Sequence, residues 1–469
     1  MLKELLKGSA IYGLAPFLPK VLTIFLLPIL TKYLTSVDYG IIGTITAITF
    51  AVQALQDMGL RVVLAPYFYK CRSHYKVIWK EVYGFLSLWM ILYAFIQATL
   101  LYFFIPKEAE ANKWLIIILS NFSTVFFGPT AIMGQMYFQL HLKPTPVAVR
   151  IIMAGVSTII ANFICVVVFK WGYMGAYVGS FAGTFLTNLS YWPAVNRKLG
   201  LSPIYNFKWR TIRKLLKVSI PTVPHYYTAY LMNTSNIAAM NYHGKPQSQI
   251  GYLTMSQHIS SIFDAVINAV NQMFSPMSYK FIHEKNVKEM RRTLFTYILM
   301  TYTMTTLYSL WAREIYTFLI SNEEIAATYK YSIILVMALN YRPIYVYCCN
   351  YFFYYEHTLQ LLGISLMSGV ISCVFYFSMI PFLGIHAALI GFYMGCLYYG
   401  YAGYFFKFYK VHTIYKLKWF FFPPLQILLT LATYYAVDYT ILSKICFTAV
   451  FISIVGLIFL RKAKNRLIK

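Results

Sequence analysis

Acidic residues are scarce in this chain: 14 Asp and Glu stand against 40 Lys and Arg among 469 residues, and only 12% of positions are charged. A soluble domain carries about twice that share of charge, so a solvated globular surface is excluded at the outset. Other things are missing too. The seven cysteines (Cys71, Cys165, Cys348, Cys349, Cys373, Cys396 and Cys446) form no CxxC and no Cys/His spacing, and six of them fall in apolar runs. They read as packing thiols, not as a metal site or a disulfide framework. Gly244-Lys245 lacks the upstream glycine of a phosphate-binding loop, which removes ATP hydrolysis as a drive. No long hydrophilic segment separates the apolar runs, so there is no room for an extramembrane catalytic domain. The chain is expected not to be an enzyme, with no catalytic residue, cofactor or metal.

What is present is apolar length. Hydrophobic residues make up 59% of the chain. A run of about 20 such residues crosses the hydrocarbon as a helix, because lipid offers backbone polar groups no partner. Fourteen runs qualify: 8–34, 39–64, 82–105, 114–138, 147–169, 173–195, 218–242, 250–275, 294–313, 331–353, 359–380, 383–406, 419–436 and 441–460. The first is too long for a signal-peptide core and lacks a small-residue cleavage site, so it reads as a first span. The expected fold is all-α, a polytopic integral membrane protein of about 14 transmembrane helices.

The net charge of +26 would suggest nucleic acid in a soluble protein. Here the cations lie between spans and obey the positive-inside rule, so nucleic acid is not expected as a partner. With the N-terminus inside, one set of loops collects most of the Lys and Arg. The opposite loops hold only Lys32, Lys107, Lys113, Lys170, Lys245, Arg313, Lys330 and Lys444. Both termini are therefore expected in the cytoplasm. The densest basic stretch, 196–217, carries Arg197, Lys198, Lys208, Arg210, Arg213, Lys214 and Lys217 without an acid. It reads as a cytoplasmic loop held at anionic headgroups.

That loop also separates two related halves. Leu5-Leu6-Lys7-Gly8-Ser9 returns 210 residues later as Leu215-Leu216-Lys217-Val218-Ser219, and Pro66–Lys70 returns as Pro276–Lys280 at the same offset. Gly172, Ala176, Gly179 and Gly183 find Gly384, Ala388, Gly391 and Gly395. Small residues at three- and four-residue steps make a stripe where helix backbones approach closely. An offset spanning six helices relates the halves by an axis along the membrane normal. The expected organisation is an N-lobe at 1–195, the basic loop at 196–217, a C-lobe at 218–408, and a helix pair with a basic tail at 409–469, with a binding cavity between the pseudo-symmetric six-helix lobes.

Charges inside spans cost about 2.5–3.5 kcal/mol each on insertion scales and so mark candidate sites. Lys20 lies mid-span after Pro16 and Pro19, too central for an easy reach to water. Asp57 and Arg61 stand four apart on one expected helix face, either as an ion pair that lowers insertion cost or as a substrate contact. Arg150, near the cytoplasmic start of its span, has the reach to snorkel. Asp264 and Arg342 either pair across helices or face the cavity. His225 reads as a packed polar residue. Four cations against two acids leave a positive interior, which favours an anionic ligand and disfavours an organic cation.

The run LTIFLLPILTKYLTSVDYG from Leu22 to Gly40 resembles the first span and loop of bacterial Wzx-type polysaccharide flippases, of the multidrug/oligosaccharidyl-lipid/polysaccharide (MOP) superfamily. The stretch Val218–Pro224, Ile250-Gly251-Tyr252, Pro276–Tyr279 and Gly384–Ala388 are similar to later spans of that family. The resemblance runs along essentially the whole chain. It implies a V-shaped pair of bundles that flips an undecaprenyl-pyrophosphate-linked oligosaccharide, an O-antigen, capsule or exopolysaccharide unit, across the bacterial cytoplasmic membrane by alternating access. On that basis Lys20, Arg61, Arg150 and Arg342 form the substrate-binding set. Asp57 and Asp264 tune their charge or couple an ion. The drive would be the membrane potential or a monovalent cation. Membrane lipids and polysaccharide polymerase or export proteins are the implied partners. A lipid II flippase and a cation-coupled multidrug antiporter are the alternatives within the superfamily, and a membrane polysaccharide polymerase is the alternative outside it.

Overall fold

A computed structural model describes residues 17–70, 74–141, 143–417 and 422–467. The first copy of the Leu-Leu-Lys repeat match, the start of the first span, Cys71 and the His225 side chain lie outside what it describes. Among the described residues there is no β-strand, and the all-α expectation holds.

The helices in chain order are α1 (Phe17–Tyr33), α2 (Ser36–Gln53), α3 (Leu60–Lys70), α4 (Tyr75–Phe104), α5 (Lys113–Leu140), α6 (Pro144–Asn162) and α7 (Gly172–Trp192). They continue as α8 (Trp209–Ser219), α9 (Val223–Asn233), α10 (Ser235–Tyr242), α11 (Gln247–His283) and α12 (Val287–Leu310). The remainder are α13 (Ala312–Leu319), α14 (Glu323–Ala326), α15 (Tyr329–Ala338), α16 (Arg342–Tyr354), α17 (Thr358–Leu383), α18 (Ile385–Tyr401), α19 (Lys407–His412), α20 (Phe422–Ala436) and α21 (Ile441–Leu467). Each apolar run of the sequence coincides with one or more of these. Among the described residues, five stretches meet a strict length and hydropathy test for crossing a membrane: Tyr75–Phe104, Lys107–Leu140, Pro144–Val168, Tyr329–Tyr354 and Leu359–Leu383.

Several runs are interrupted. The second expected span is α2 and α3 with a link at 54–59, where Met58 and Gly59 take positive φ of 49° and 71°. Gly59 is needed there twice over: it relieves the left-handed strain, and a Cβ would sit 2.5 Å from Thr222 Oγ1. The seventh run is divided among α8, a short turn at Ile220–Thr222, α9 and α10, following its prolines Pro221 and Pro224. Non-helical backbone at such depth is tolerated where protein or a watery cavity meets it.

The chain divides into two compact units, residues 1–254 and 255–469, with the division inside α11. In the first unit, α2 opens with a capping box between Thr35 and Asp38. Asp38 Oδ1 also accepts from the Tyr173 amide at 3.0 Å, which ties the start of α2 to the start of α7. The start of α11 lies on α2 with backbones nearly touching: a methyl on Gly251 would overlap the Ser36 carbonyl oxygen. The basic segment 196–217 is held on this unit. Ile204 N donates to Lys80 O at 3.0 Å, and Phe207 packs edge-on against Phe85. Its helix α8 buries Ile212 and Leu215 and turns Arg210, Arg213, Lys214 and Lys217 outward.

The repeated small-residue stripe does the same work in each unit. On α7, Gly179 and Gly183 admit Asn162 and Thr158 of α6. On α18, Gly391 and Gly395 admit Tyr376 and Ser372 of α17, whose Ser372 and Ser368 hydroxyls donate to the Gly391 and Gly395 carbonyls at 3.0 and 2.9 Å. Exposed backbone carbonyls on a glycine face thus become interhelical acceptors, the interaction lipid cannot supply.

Candidate functional site: a polar cavity in the first unit

The link between α2 and α3 creates the local chemistry. Asp57 stands in the non-helical link and Arg61 at the start of α3, so they do not share one continuous helix face as the spacing suggested. They still meet: Arg61 Nε lies 2.8 Å from Asp57 Oδ2, and Asp57 Oδ1 accepts from the Gly59 amide at 3.0 Å. The guanidinium reaches onward, with Nη1 donating to Gln135 Oε1 on α5 at 3.1 Å. The break is what lets a carboxylate fold back on the cation that follows it.

Arg61 forms one end of an open cavity of about 490 Å³ lined by α2, α4, α5 and α7. The walls carry Gln53 and Gln56, Gln97, Gln135 and Asn188, with Tyr93 and Tyr177 presenting rings. Asn188 Nδ2 donates to Ser123 Oγ at 3.0 Å, and Ser120 shares a hydrogen bond with the Tyr177 hydroxyl. Gln97 is only 4% exposed, and its Oε1 has no hydrogen-bond partner. Leaving such a group unpaired costs about 1–3 kcal/mol. A second recess of about 340 Å³ shares Phe50, Gln53, Gln56 and Arg61 and adds Asp57, Tyr226, Tyr227 and Tyr230. Arg61 thus lines two neighbouring polar spaces, its charge compensated by Asp57.

The other sequence-selected charges lie elsewhere. Lys20 is half-buried on α1, where Pro19 abuts Gly155 of α6, and lines neither space. Arg150 is engaged by its own neighbourhood: Nη1 donates to Pro146 O at 2.7 Å, Nε to Ser190 Oγ at 3.0 Å, and the guanidinium lies 4.5 Å from the Tyr191 ring centroid. In the second unit Arg342 Nη2 pairs with Asp264 Oδ1 at 3.0 Å, and Asn268 Nδ2 donates to Asp264 Oδ2 at 3.1 Å. The choice left open by the sequence for Asp264 and Arg342 is therefore decided as a pair across α11 and α16. Among the described residues each unit holds one Asp–Arg pair, at a helix break in the first and between two helices in the second.

Counting charges missed the carboxamides. Gln53, Gln56, Gln97, Gln135 and Asn188 converge from four separate places in the chain, and their only sequence signal is a polar amide inside an apolar run. Among the described residues no group of three or more His, Cys, Asp or Glu converges as metal ligands would.

A family model described as polysaccharide biosynthesis protein matches residues 5–281. No curated protein matches the chain. Among solved structures, the lipid II flippase MurJ in an inward closed conformation aligns with TM-score 0.72 at 15% identity, over 96% of this chain and 99% of that one. An inward-facing multidrug transporter of the MATE family and MOP superfamily aligns with TM-score 0.60 at 12% identity, over 85% and 93%. A MOP superfamily transporter from Pyrococcus furiosus, described as having a binding pocket of reversed polarity, aligns with TM-score 0.56 at 12% identity, over 85% and 94%. With the family match spanning more than half its length and the fold of the MOP transporters throughout, this chain belongs to the polysaccharide biosynthesis protein family.

Proposed function

We propose that this protein is a flippase that carries an undecaprenyl-pyrophosphate-linked oligosaccharide, a unit of O-antigen, capsule or exopolysaccharide, from the inner to the outer leaflet of the bacterial cytoplasmic membrane. The observation that carries this reading is the cavity at Arg61, a polar, uncharged chamber with one guanidinium at its end in a membrane protein of this family. Lys20, Arg61 and Arg342 bind the pyrophosphate during alternating access, and Asp57 and Asp264 hold the two arginines in place until the substrate competes for them. Arg150, which ties α6 to α7 through Ser190, has donors left over and joins them as a further cation for the substrate. Both termini lie in the cytoplasm, and the six-helix lobes are 1–195 and 218–408.

Moving a negative charge outward gains about 2.3 kcal/mol per 100 mV, so a doubly charged pyrophosphate gains about 4.6 kcal/mol without ATP. Coupling to a monovalent cation adds to that drive. The likeness to MurJ favours lipid II as the second cargo to try. A multidrug antiporter is disfavoured, because it would need a free carboxylate and both span acids are paired with arginine.

Lys20→Ala, Arg61→Ala and Arg342→Ala are expected to reduce flipping of a fluorescent lipid-linked oligosaccharide in vesicles while leaving protein levels unchanged. Wild-type transport in all three variants would overturn the cationic role. A cysteine at position 208 should label only from the cytoplasmic side; labelling from outside intact cells would invert the topology.

A further inference from the structure

The chamber in the first unit has an uneven lining. At one end Arg61 is satisfied by Asp57 and Gln135. Along the rest of the wall the polar groups are neutral, and most are already paired: Asn188 with Ser123, and Ser120 with Tyr177. Gln97, on α4, is a deeply buried carboxamide of this wall, 4% exposed, and its Oε1 accepts from no described group. Tyr93 lies one turn before it and lines the same chamber. A helix in lipid carries an amide only at a cost, and buried polar groups are normally paired. An unfilled acceptor set against a polar chamber is therefore the mark of a partner that arrives from elsewhere.

We infer that this chamber is a sugar subsite, in which the Gln97 side chain turns its carboxamide oxygen, sealed from water in this structure, toward the chamber and accepts a hydrogen bond from a hydroxyl or acetamido N–H of one neutral sugar residue. The Tyr93 and Tyr177 rings offer flat apolar faces to the pyranose, and Gln53 and Gln56 offer further amides near the Arg61 end. A volume of about 490 Å³ falls in the range of small-molecule sites. Other ligand classes fit the wall less well. An anion would find one guanidinium, at the Arg61 end, and no cation along the rest of the wall. An organic cation would find no free acid among the lining side chains, and an apolar drug would leave the amides unpaired. The inference rests on the transport reading above and deepens it: glycan selectivity resides in neutral amides of the first unit, apart from the cations assigned to the pyrophosphate.

The test uses the full-length protein in lipid vesicles with Thr124→Cys on the chamber wall. Maleimide labelling at that position is read by peptide mass spectrometry, which sets aside the native cysteines. The probes are N,N′-diacetylchitobiose, a neutral disaccharide, and inorganic pyrophosphate. The disaccharide is expected to slow labelling at least threefold, and pyrophosphate to leave it unchanged. Gln97→Leu should abolish the protection, whereas Gln97→Asn, which keeps an amide, should retain part of it; thermal melting of both variants verifies folding. Absence of protection by the disaccharide, equal protection in Gln97→Leu, or protection by pyrophosphate alone would overturn the inference. Flipping measured on the same vesicles separates the two readings. Transport without sugar protection removes the subsite and leaves the flippase. Protection without transport of any lipid-linked oligosaccharide removes the flippase and leaves a sugar site.

Discussion

Lys444 is fully buried in the second unit, and its ammonium sits 2.7 and 2.9 Å from the two carboxylate oxygens of Glu314. The Glu314 side chain keeps 32% of its exposure, whereas that of Lys444 keeps none. This asymmetry predicts unequal costs. Glu314→Gln leaves an ammonium buried without a counter-charge, at a cost of about 3 kcal/mol, the lower end of the range for breaking a buried pair. Lys444→Met removes the buried charge itself and leaves a carboxylate that water can reach, at a cost of about 1 kcal/mol. The double variant should lie within about 1 kcal/mol of the parent, because a methionine replaces a pair whose desolvation offsets most of its attraction. The expected melting shifts are about 5–10 °C for Glu314→Gln and a few degrees for the other two. A thiol-reactive dye in detergent reads them, since Cys348, Cys349 and Cys396 are buried and free in the folded protein. The reasoning is refuted if Lys444→Met costs as much as Glu314→Gln, or if the double variant is as unstable as the worse single one. The same contact fastens the C-terminal helix pair: Trp311 Nε1 donates to Thr448 Oγ1 of α21 at 3.0 Å, one turn beyond Lys444.

Two further outcomes follow. Gly251→Ala should abolish accumulation of folded protein, because its methyl meets the Ser36 carbonyl, a backbone atom with no freedom to give. Gly363→Ala, which meets open space, should be neutral in the same expression and melting assay. Asp438, in the turn between α20 and α21, supplies the pH dependence. Burial raises its pKa, but Lys330 and Tyr329 outweigh that and hold it below the ordinary carboxylate value. Its contribution is therefore present above about pH 4, the unfolded pKa, and lost as pH falls further. Asp438→Asn should remove that acid limb from a melting-temperature profile between about pH 3 and 5. An unchanged limb would place the titration elsewhere.

How much of this was legible beforehand depends on the residue. The helices were, because every run of spanning length must close its backbone hydrogen bonds within itself. The glycine stripes were too, since only small residues let α6 meet α7 and α17 meet α18 at backbone distance. The break at 54–59 was not. Asp-Met-Gly is compatible with a continuing helix, and only the structure gives Met58 and Gly59 their positive φ, with Thr222 packed against Gly59. Lys444 read as a loop cation on the outer side. The last apolar run, 441–460, already contained it, and the structure likewise starts α21 at Ile441; what it adds is Glu314, brought from α13, a short helix no hydrophobic run announced.

The sequence by itself determined the class of the molecule, its all-α architecture, its internal repeat and the uneven charge of its loops. Those are consequences of composition and period, which lipid enforces on each segment independently. Only the tertiary structure decided which polar groups meet. Arg61 joined to Gln135, Asp264 to Arg342, Arg150 to Ser190, and Gln97 left at a chamber wall are outcomes of helix packing, in which residues scores of positions apart share a few ångströms. The charges drew notice first because each is costly in lipid. The neutral amides were silent in the sequence, since an amide inside an apolar run does not reveal whether a neighbouring helix or a ligand completes its hydrogen bonds.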